Sequence, residues 1–239
     1  MKRNDGRALD ELRKVNIIEN FVSCAEASIL IEIGKTRVLC NASVEEKVPK
    51  WLRDKKSGWI TAEYNLLPRS TSTRVKRERN HLSGRTQEIQ RLIGRSLRGV
   101  CNLKSLGERT IVVDCDVLEA DGGTRTASVV GGFMALVKAI QHIASQQTLS
   151  GQVIKHWLSA TSVGIVERTP ILDLCYVEDL AAEVDMNVVM THNGKYVEIQ
   201  GTGEEATYSR AELDQLLYLA EKGCKELITV QKQFLGDLP

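Results

Sequence analysis

At 239 residues the chain is long enough to bury one large core or two closely joined halves. Hydrophobic residues make up 42% of it and charged residues 26%, which excludes a disordered polymer. The net charge of +1 excludes a global polycation, so any contact with nucleic acid needs locally concentrated positive charge.

The opening MKRNDGRALDELRK lacks the apolar centre of a signal peptide, and residues 1–15 read as a polar arm or a short helical turn. No apolar run looks long enough to span a bilayer, so a soluble, cytoplasmic chain without membrane contact is expected. The six cysteines show neither CxxC spacing nor nearby histidines, which argues against a zinc site or a disulfide framework. Cys40, Cys115, Cys175 and Cys224 sit in apolar stretches and read as small buried thiols.

Residues 28–44 predict a hairpin. Ile29, Ile31 and Ile33 alternate, Gly34-Lys35 supplies the turn, and Val38, Cys40, Ala42 and Val44 alternate on the return. A basic loop, 48–59, then carries Trp51 and Trp59, and a strand over 59–67 ends at Pro68. From Arg69 to Arg98 the composition turns basic: Arg69, Arg74, Lys76, Arg77, Arg79, Arg85, Arg91, Arg95 and Arg98 face only Glu78 and Glu88. Ser83-Gly84 predicts a helix start with Arg85 in its first turn, where a positive dipole end and an arginine suit phosphate. Ile89, Leu92, Ile93 and Leu97 form its apolar face, while Arg91, Arg95 and Arg98 line another. That stripe is either a solvated surface or a contact for an RNA backbone or acidic partner.

Residues 111–144 form the central unit. Ile111, Val113, Cys115 and Val117 alternate with Val112, Asp114 and Asp116, the period of a half-buried strand. Asp121-Gly122-Gly123 breaks the chain, and a long helix begins with Thr124 and Arg125. A glycine-rich turn at a helix N-terminus beside an arginine can hold an anion. On the local pattern alone, an ordinary turn with a solvated arginine is equally consistent.

After a polar connector over 145–151, strands are predicted over 160–167 and 170–176. A hairpin, 186–200, turns at Asn193-Gly194, and a last helix starts at Ser209 with a capping box to Glu212. Leu213, Leu216, Leu217 and Ala220 give that helix its apolar stripe. Two halves of similar order, about 1–150 and 151–239, predict an α+β fold of mixed sheets and helices with an internal pseudo-repeat.

Between two of these strands lie Glu178, Asp179, Glu183 and Asp185, with Asp173 upstream. Such a cluster is often only a solvated loop. Here Asp185 stands at the mouth of the apolar strand MNVVM and Asp173 is read inside the preceding strand, so the carboxylates can converge on a hard cation such as Mg²⁺. No GxxxxGK[ST], GxSxG or HExxH motif occurs. Arginines, a basic band and a possible metal site together point to phosphoryl or nucleotidyl transfer by positioning and charge neutralisation.

Five long stretches go further: RNDGRALDELR near the start, GWITAEYNLLPRSTSTR at 58–74, SGRTQEIQRLIGRSLR at 83–98, DCDVLEADGGTRTAS at 114–128 and DLCYVEDLAAEVDMNVVMT at 173–191. Over essentially its whole length the chain resembles the ribonuclease PH family, bacterial phosphate-dependent 3′→5′ exoribonucleases that trim tRNA precursors. The resemblance implies a single ribonuclease PH-type domain and reversible nucleotidyl transfer. Inorganic phosphate as co-substrate would be held by Arg85, Gly123, Thr124 and Arg125. Asp179 and Asp185 match the acidic pair implied to bind a divalent cation such as Mg²⁺, with Asp185 also the proposed general acid. Arg69, Arg74 and Arg77 match positions associated with RNA binding or the ring interface of a homohexamer, a trimer of dimers. Two departures stand out: the segment between Arg77 and Arg85 is shorter than the family pattern, and Leu180 replaces a small polar residue. The competing possibilities are a catalytically inert RNA-binding ring scaffold and a metal-dependent hydrolytic exonuclease. The retained arginines and acidic pair disfavour the first, and a separate phosphate pocket disfavours the second.

Overall fold

The computed structural model describes residues 2–78, 81–203 and 206–239. Arg79, part of the basic band, lies outside them. In chain order the elements are β1 (Val15–Glu19), β2 (Ala27–Ile33), β3 (Thr36–Glu45), β4 (Trp59–Leu66), α1 (Gly84–Gly99), α2 (Leu103–Leu106), β5 (Thr110–Glu119) and α3 (Thr124–Gln146). The second half adds β6 (Leu158–Val166), β7 (Thr169–Leu172), α4 (Tyr176–Ala181), β8 (Val184–Thr191), β9 (Tyr196–Gly203) and α5 (Arg210–Leu235). The first sheet has the order β1-β2-β3-β5-β4, all antiparallel except the β4–β5 pair, and the second has the order β7-β6-β8-β9.

Alternation sets which face of each sheet is buried. Ile29, Ile31, Val38, Cys40, Ile111 and Val113 are fully buried and turn one face of the first sheet onto α3. The opposite face carries Asp114 and Asp116; burial, with Glu63 nearby, pushes both carboxyls above the ordinary range. In the second sheet Ala160 and Val189 face α3, whereas Val163, Met186, Val188 and Met190 face Leu216, Ala220 and Cys224 of α5. The layers therefore stack as first sheet, α3 with α1, second sheet, α5. Close approach of α3 to the first sheet needs Gly131, because a Cβ there would stand 2.7 Å from both Cys40 Sγ and Ile31 Cγ2.

The helix starts follow their capping residues. Ser83 Oγ accepts from Thr86 N at the head of α1, and Ser209 with Glu212 forms the reciprocal capping box of α5. The 23-residue α3 is long and apolar enough to cross a membrane, contrary to the reading that no such run exists. It is the core helix, with most of its residues buried between the two sheets. The basic stripe of α1 is also largely committed: Arg95 holds Glu198 at 2.7 Å, and Arg98 donates to Ile60 O at 2.7 Å and lies 4.3 Å over the Trp59 ring.

Two sequence expectations are corrected. Residues 170–176 are not one strand. β7 stops at Leu172, Asp173 takes a left-handed φ of 55°, and the chain then enters α4. Residues 2–14 form no helix either: after extended and turning backbone the segment adds β1 to the sheet, and Arg3 and Arg13 are buried. Arg3 grips Glu178 with two hydrogen bonds of 2.7 Å and donates to Leu172 O and Asp173 O at 2.8 Å each. Arg13 binds both oxygens of Asp173, at 2.7 and 2.9 Å, and its backbone N–H adds a third bond of 2.7 Å. Arg7 reaches Asp173 at 3.3 Å. Asp173 is thus a counter-ion for arginines, not a cation ligand. Burial alone would raise the Glu178 carboxyl, but the Arg3 guanidinium and the Cys175 N–H outweigh it and hold the group below the usual range.

Removing one partner of a buried ion pair leaves the other charge uncompensated. Asp173→Asn is expected to cost about 3–5 kcal/mol of unfolding free energy by urea titration, whereas removing the exposed Arg210–Asp214 pair leaves the midpoint nearly unchanged. The lowered Glu178 group contributes stability above its unfolded pKa of about 4.3, and that contribution is lost as pH falls through the lower folded value. A Glu178→Gln variant should therefore show a shallower loss of stability in acid than the parent.

Candidate active site

The β5–α3 connection is built by glycine. Gly122 and Gly123 have φ of 76° and 65°, a region that side chains disfavour. At Gly122 a Cβ would also lie 2.5 Å from Leu174 O and 2.7 Å from the Cys175 carbonyl carbon, so the backbone of the second half packs directly on the turn. Gly123 occupies the N-cap of α3 and has no side chain with which to cap it, leaving first-turn N–H groups for another acceptor. The positive end of a long helix dipole points the same way.

The turn is fixed from below. Thr36 Oγ1 donates to Gly122 O at 2.7 Å and accepts from Asp121 N at 2.9 Å. Arg13 Nη1 donates to Asp121 O while the same guanidinium holds Asp173. Above it, Tyr64 Oη and Thr124 Oγ1 share a 2.8 Å hydrogen bond. Burial pushes the Tyr64 phenol up, and the Thr124 bond with the Arg85 and Arg125 charges reverses only part of this, so the phenol keeps its proton.

The second sheet supplies the opposing wall. Asp185 and Asn187 lie two apart on β8, on the face that also carries Val189 towards α3. Register places Ser162 of β6 opposite Asn187, Thr202 of β9 opposite Asp185 and Gln200 opposite Asn187. α4 brings Asp179, and the Ser83-capped first turn of α1 brings Arg85. Together Arg85, Gly123, Thr124, Arg125, Ser162, Asp179, Asp185, Asn187 and Thr202 line one polar cavity of about 250 Å³. Two guanidiniums and a helix N-terminus thus share a small space with two carboxylates.

The structure therefore gathers Arg85, Gly123, Thr124, Arg125, Asp179 and Asp185 into one site. It does not bring Arg69, Arg74 and Arg77 there. All three are exposed on the segment after β4, and Arg69 lines a separate cleft of about 570 Å³ with Lys35, Asp121 and Tyr176. That cleft is larger, but it holds a single arginine beside Glu119 and Asp121, and the pairing of two guanidiniums with the start of α3, rather than size, selects the smaller cavity. Sequence reasoning missed Ser162, Asn187 and Thr202. Their signal was positional: small polar residues on one face of apolar strands, opposite each other or opposite Asp185. Leu180, the departure beside the acidic pair, is 75% exposed and lines no part of the cavity.

Fold and site together define a class. Models of the 3′ exoribonuclease family match the chain twice, domain 1 over residues 11–140 and domain 2 over residues 156–223. The fold is shared with rice Rrp46 (TM-score 0.79, 18% identity, 98% of this chain and 100% of that one). It is shared also with an Archaeoglobus fulgidus exosome chain solved with RNA bound to the active site (TM-score 0.79, 22% identity, 98% and 92%). Much nearer in sequence are proteins named Ribonuclease PH. That of Syntrophomonas wolfei subsp. wolfei is 56% identical over 238 residues, covering 99% of this chain and 100% of the relative. That of Bacillus cereus (strain G9842) is 53% identical over 239 residues, covering 99% and 98%. The chain belongs to the ribonuclease PH family.

Gly122→Ala tests the turn. The added methyl meets backbone at 2.5 Å and sits at a disfavoured φ, so about 1–3 kcal/mol of strain is expected in addition to the collision. The expected outcome is a lowered urea midpoint together with loss of phosphate-dependent activity. Gly84→Ala, where the methyl meets nothing within 4 Å, serves as the control.

Proposed function

We propose that the chain shortens RNA from its 3′ end by phosphorolysis in this cavity, with Arg85, Gly123, Thr124 and Arg125 holding inorganic phosphate. Phosphorolytic 3′→5′ exoribonuclease activity in tRNA processing is the activity of the family to which the chain belongs. One observation carries the residue assignment: two arginines and the uncapped start of α3 open into the cavity that also holds Asp179 and Asp185. A phosphate dianion and an RNA phosphodiester repel each other, and two fixed guanidiniums offset that repulsion while aligning the nucleophile. The helix N–H groups and the Thr124 hydroxyl, steadied by Tyr64, complete the cradle.

In the reaction a phosphate oxygen attacks the phosphorus of the terminal phosphodiester, and the bond to the upstream 3′-oxygen breaks. A nucleoside diphosphate leaves, and the shortened RNA takes up a proton to end in a 3′-hydroxyl. Asp185 is the proposed donor of that proton. The oxygen-only donor set of Asp179 and Asp185, with Asn187 and Thr202 beside them, fits Mg²⁺, which commonly takes one or two carboxylates plus substrate phosphates. Among the described residues no group of three or more acidic, histidine or cysteine side chains is placed to hold a metal, so substrate oxygens would complete the set. When bound, the cation would supply Lewis-acid stabilisation of the leaving 3′-oxygen.

Arg69, Arg74 and Arg77 are proposed to contact RNA or a neighbouring subunit; exposure on one continuous segment supports this. A homohexameric ring, a trimer of dimers, is the proposed assembly, and the likeness to archaeal exosome core chains supports a ring-like multimer. The proposed substrates are tRNA precursor 3′ ends, the proposed location is the cytoplasm, and residues 1–239 are proposed to act as one domain. Its halves, about 1–150 and 151–239, share the α3 core.

Arg85→Ala separates phosphate use from RNA binding. The expected result is a phosphate KM raised about tenfold or more, the cost of losing one charge-assisted contact, with RNA affinity and ring assembly little changed. Equal loss of phosphate use and RNA binding in an assembled variant would overturn this division of roles.

A further inference from the structure

Arg125 enters the cavity from α3, yet its orientation is set from β9. Its Nη1 donates to Gln200 Oε1 at 3.1 Å, and the Glu88 carboxylate lies 3.8 Å from the same nitrogen. The Gln200 amide has one arrangement that satisfies its surroundings. Its Nε2 donates to Glu88 Oε1 at 2.8 Å and to Glu198 Oε1 at 3.0 Å, and both partners accept only. With the NH₂ side committed to two carboxylates, the carbonyl oxygen must face Arg125. Glu198 is in turn held by Arg95 of α1 through bonds of 2.7 to 3.1 Å. The series Arg95–Glu198–Gln200–Arg125, with Glu88 closing it, ties α1 and α3 of the first half to β9 of the second.

We infer that Gln200 is a positioning residue for the phosphate site: oriented by Glu88 and Glu198, it holds the Arg125 guanidinium aimed into the cavity. Gln200 sits opposite Asn187, a cavity residue, but is itself not among the residues lining the cavity. It therefore acts through Arg125 and not on the reacting atoms. A neutral acceptor suits this role. It fixes the guanidinium with one hydrogen bond without cancelling its charge, leaving the other N–H groups for an anion. A carboxylate in its place would hold Arg125 more firmly and compete with phosphate for it.

This inference rests on the phosphorolytic reading of the cavity, and the test separates the two. Steady-state kinetics on a single-stranded RNA tail would be run with varied inorganic phosphate and with varied RNA, for the parent, Gln200→Leu and Gln200→Glu. Phosphate KM is expected to rise roughly tenfold in Gln200→Leu, as for a lost hydrogen bond to a charged group, with RNA KM and kcat at saturating phosphate nearly unchanged. Gln200→Glu, of the same shape, should raise phosphate KM at least as much and remains informative if the leucine variant does not fold. Phosphate KM within twofold of the parent in a folded variant, or an equal rise in RNA KM, would overturn the positioning role. A parent enzyme that needs no phosphate would instead overturn the reading beneath it.

Discussion

The pairing of Arg13 with Asp173 is the constraint on which the site depends. Arg13 belongs to the arm before β1, Asp173 follows β7, and the same guanidinium reaches Asp121 O in the turn before α3. One buried ion pair therefore registers three distant parts of the chain against each other. Its energetic value over an apolar contact is small once desolvation is counted, but breaking it is costly and its geometry is directional. That combination makes it better suited to fixing a position than to adding bulk stability. Arg3 does the same one step away, clamping Glu178 at the start of the short helix that carries Asp179.

With that registry in place, the remaining architecture follows from where polar groups interrupt apolar faces. The α3 side of the second sheet is apolar at Leu158, Ala160 and Val189 and turns polar at Ser162, Asp185 and Asn187. The polar patch lies where α3 begins, so the helix body packs on the apolar part while its N-terminus meets the carboxylates across a cavity. Arg85 and Asp179 are exposed and Arg125 and Asp185 half-buried, so both signs of charge meet at a cavity that is open to solvent. Such a site suits the proposed phosphorolysis, in which an anion must meet an RNA phosphodiester.

Much of this was legible in the sequence because it is local. The alternation of β5, the Gly122-Gly123 break, the Ser83 and Ser209 caps and the Asn193-Gly194 hairpin are signals within a few residues, and each element stands where they place it. The six residues assigned to phosphate and cation converge because strand ends and helix starts meet at one place. What was not legible is long-range. Arg3, Arg7 and Arg13 read only as part of a polar arm or a helical turn until partners 160 to 175 residues away are known. Asp173 looked like a strand residue because Pro170, Ile171 and Leu172 precede it, whereas it takes a left-handed φ and its carboxylate is held by Arg13. Ser162, Asn187, Thr202 and Gln200 carry no local motif that marks a site. Only the register of β6, β8 and β9 puts them together. The hidden membrane-length helix is a related case, its apolar length masked by small and polar residues.

The central claim is that phosphate, held by Arg85, Arg125 and the start of α3, is the attacking group. Product analysis on an RNA with a single-stranded 3′ tail, in Mg²⁺ with and without inorganic phosphate, tests it most directly. The account predicts nucleoside diphosphates that appear only when phosphate is present. Nucleoside monophosphates released without phosphate would contradict it and indicate hydrolysis, and bound RNA with no products under either condition would contradict it in favour of a non-catalytic scaffold.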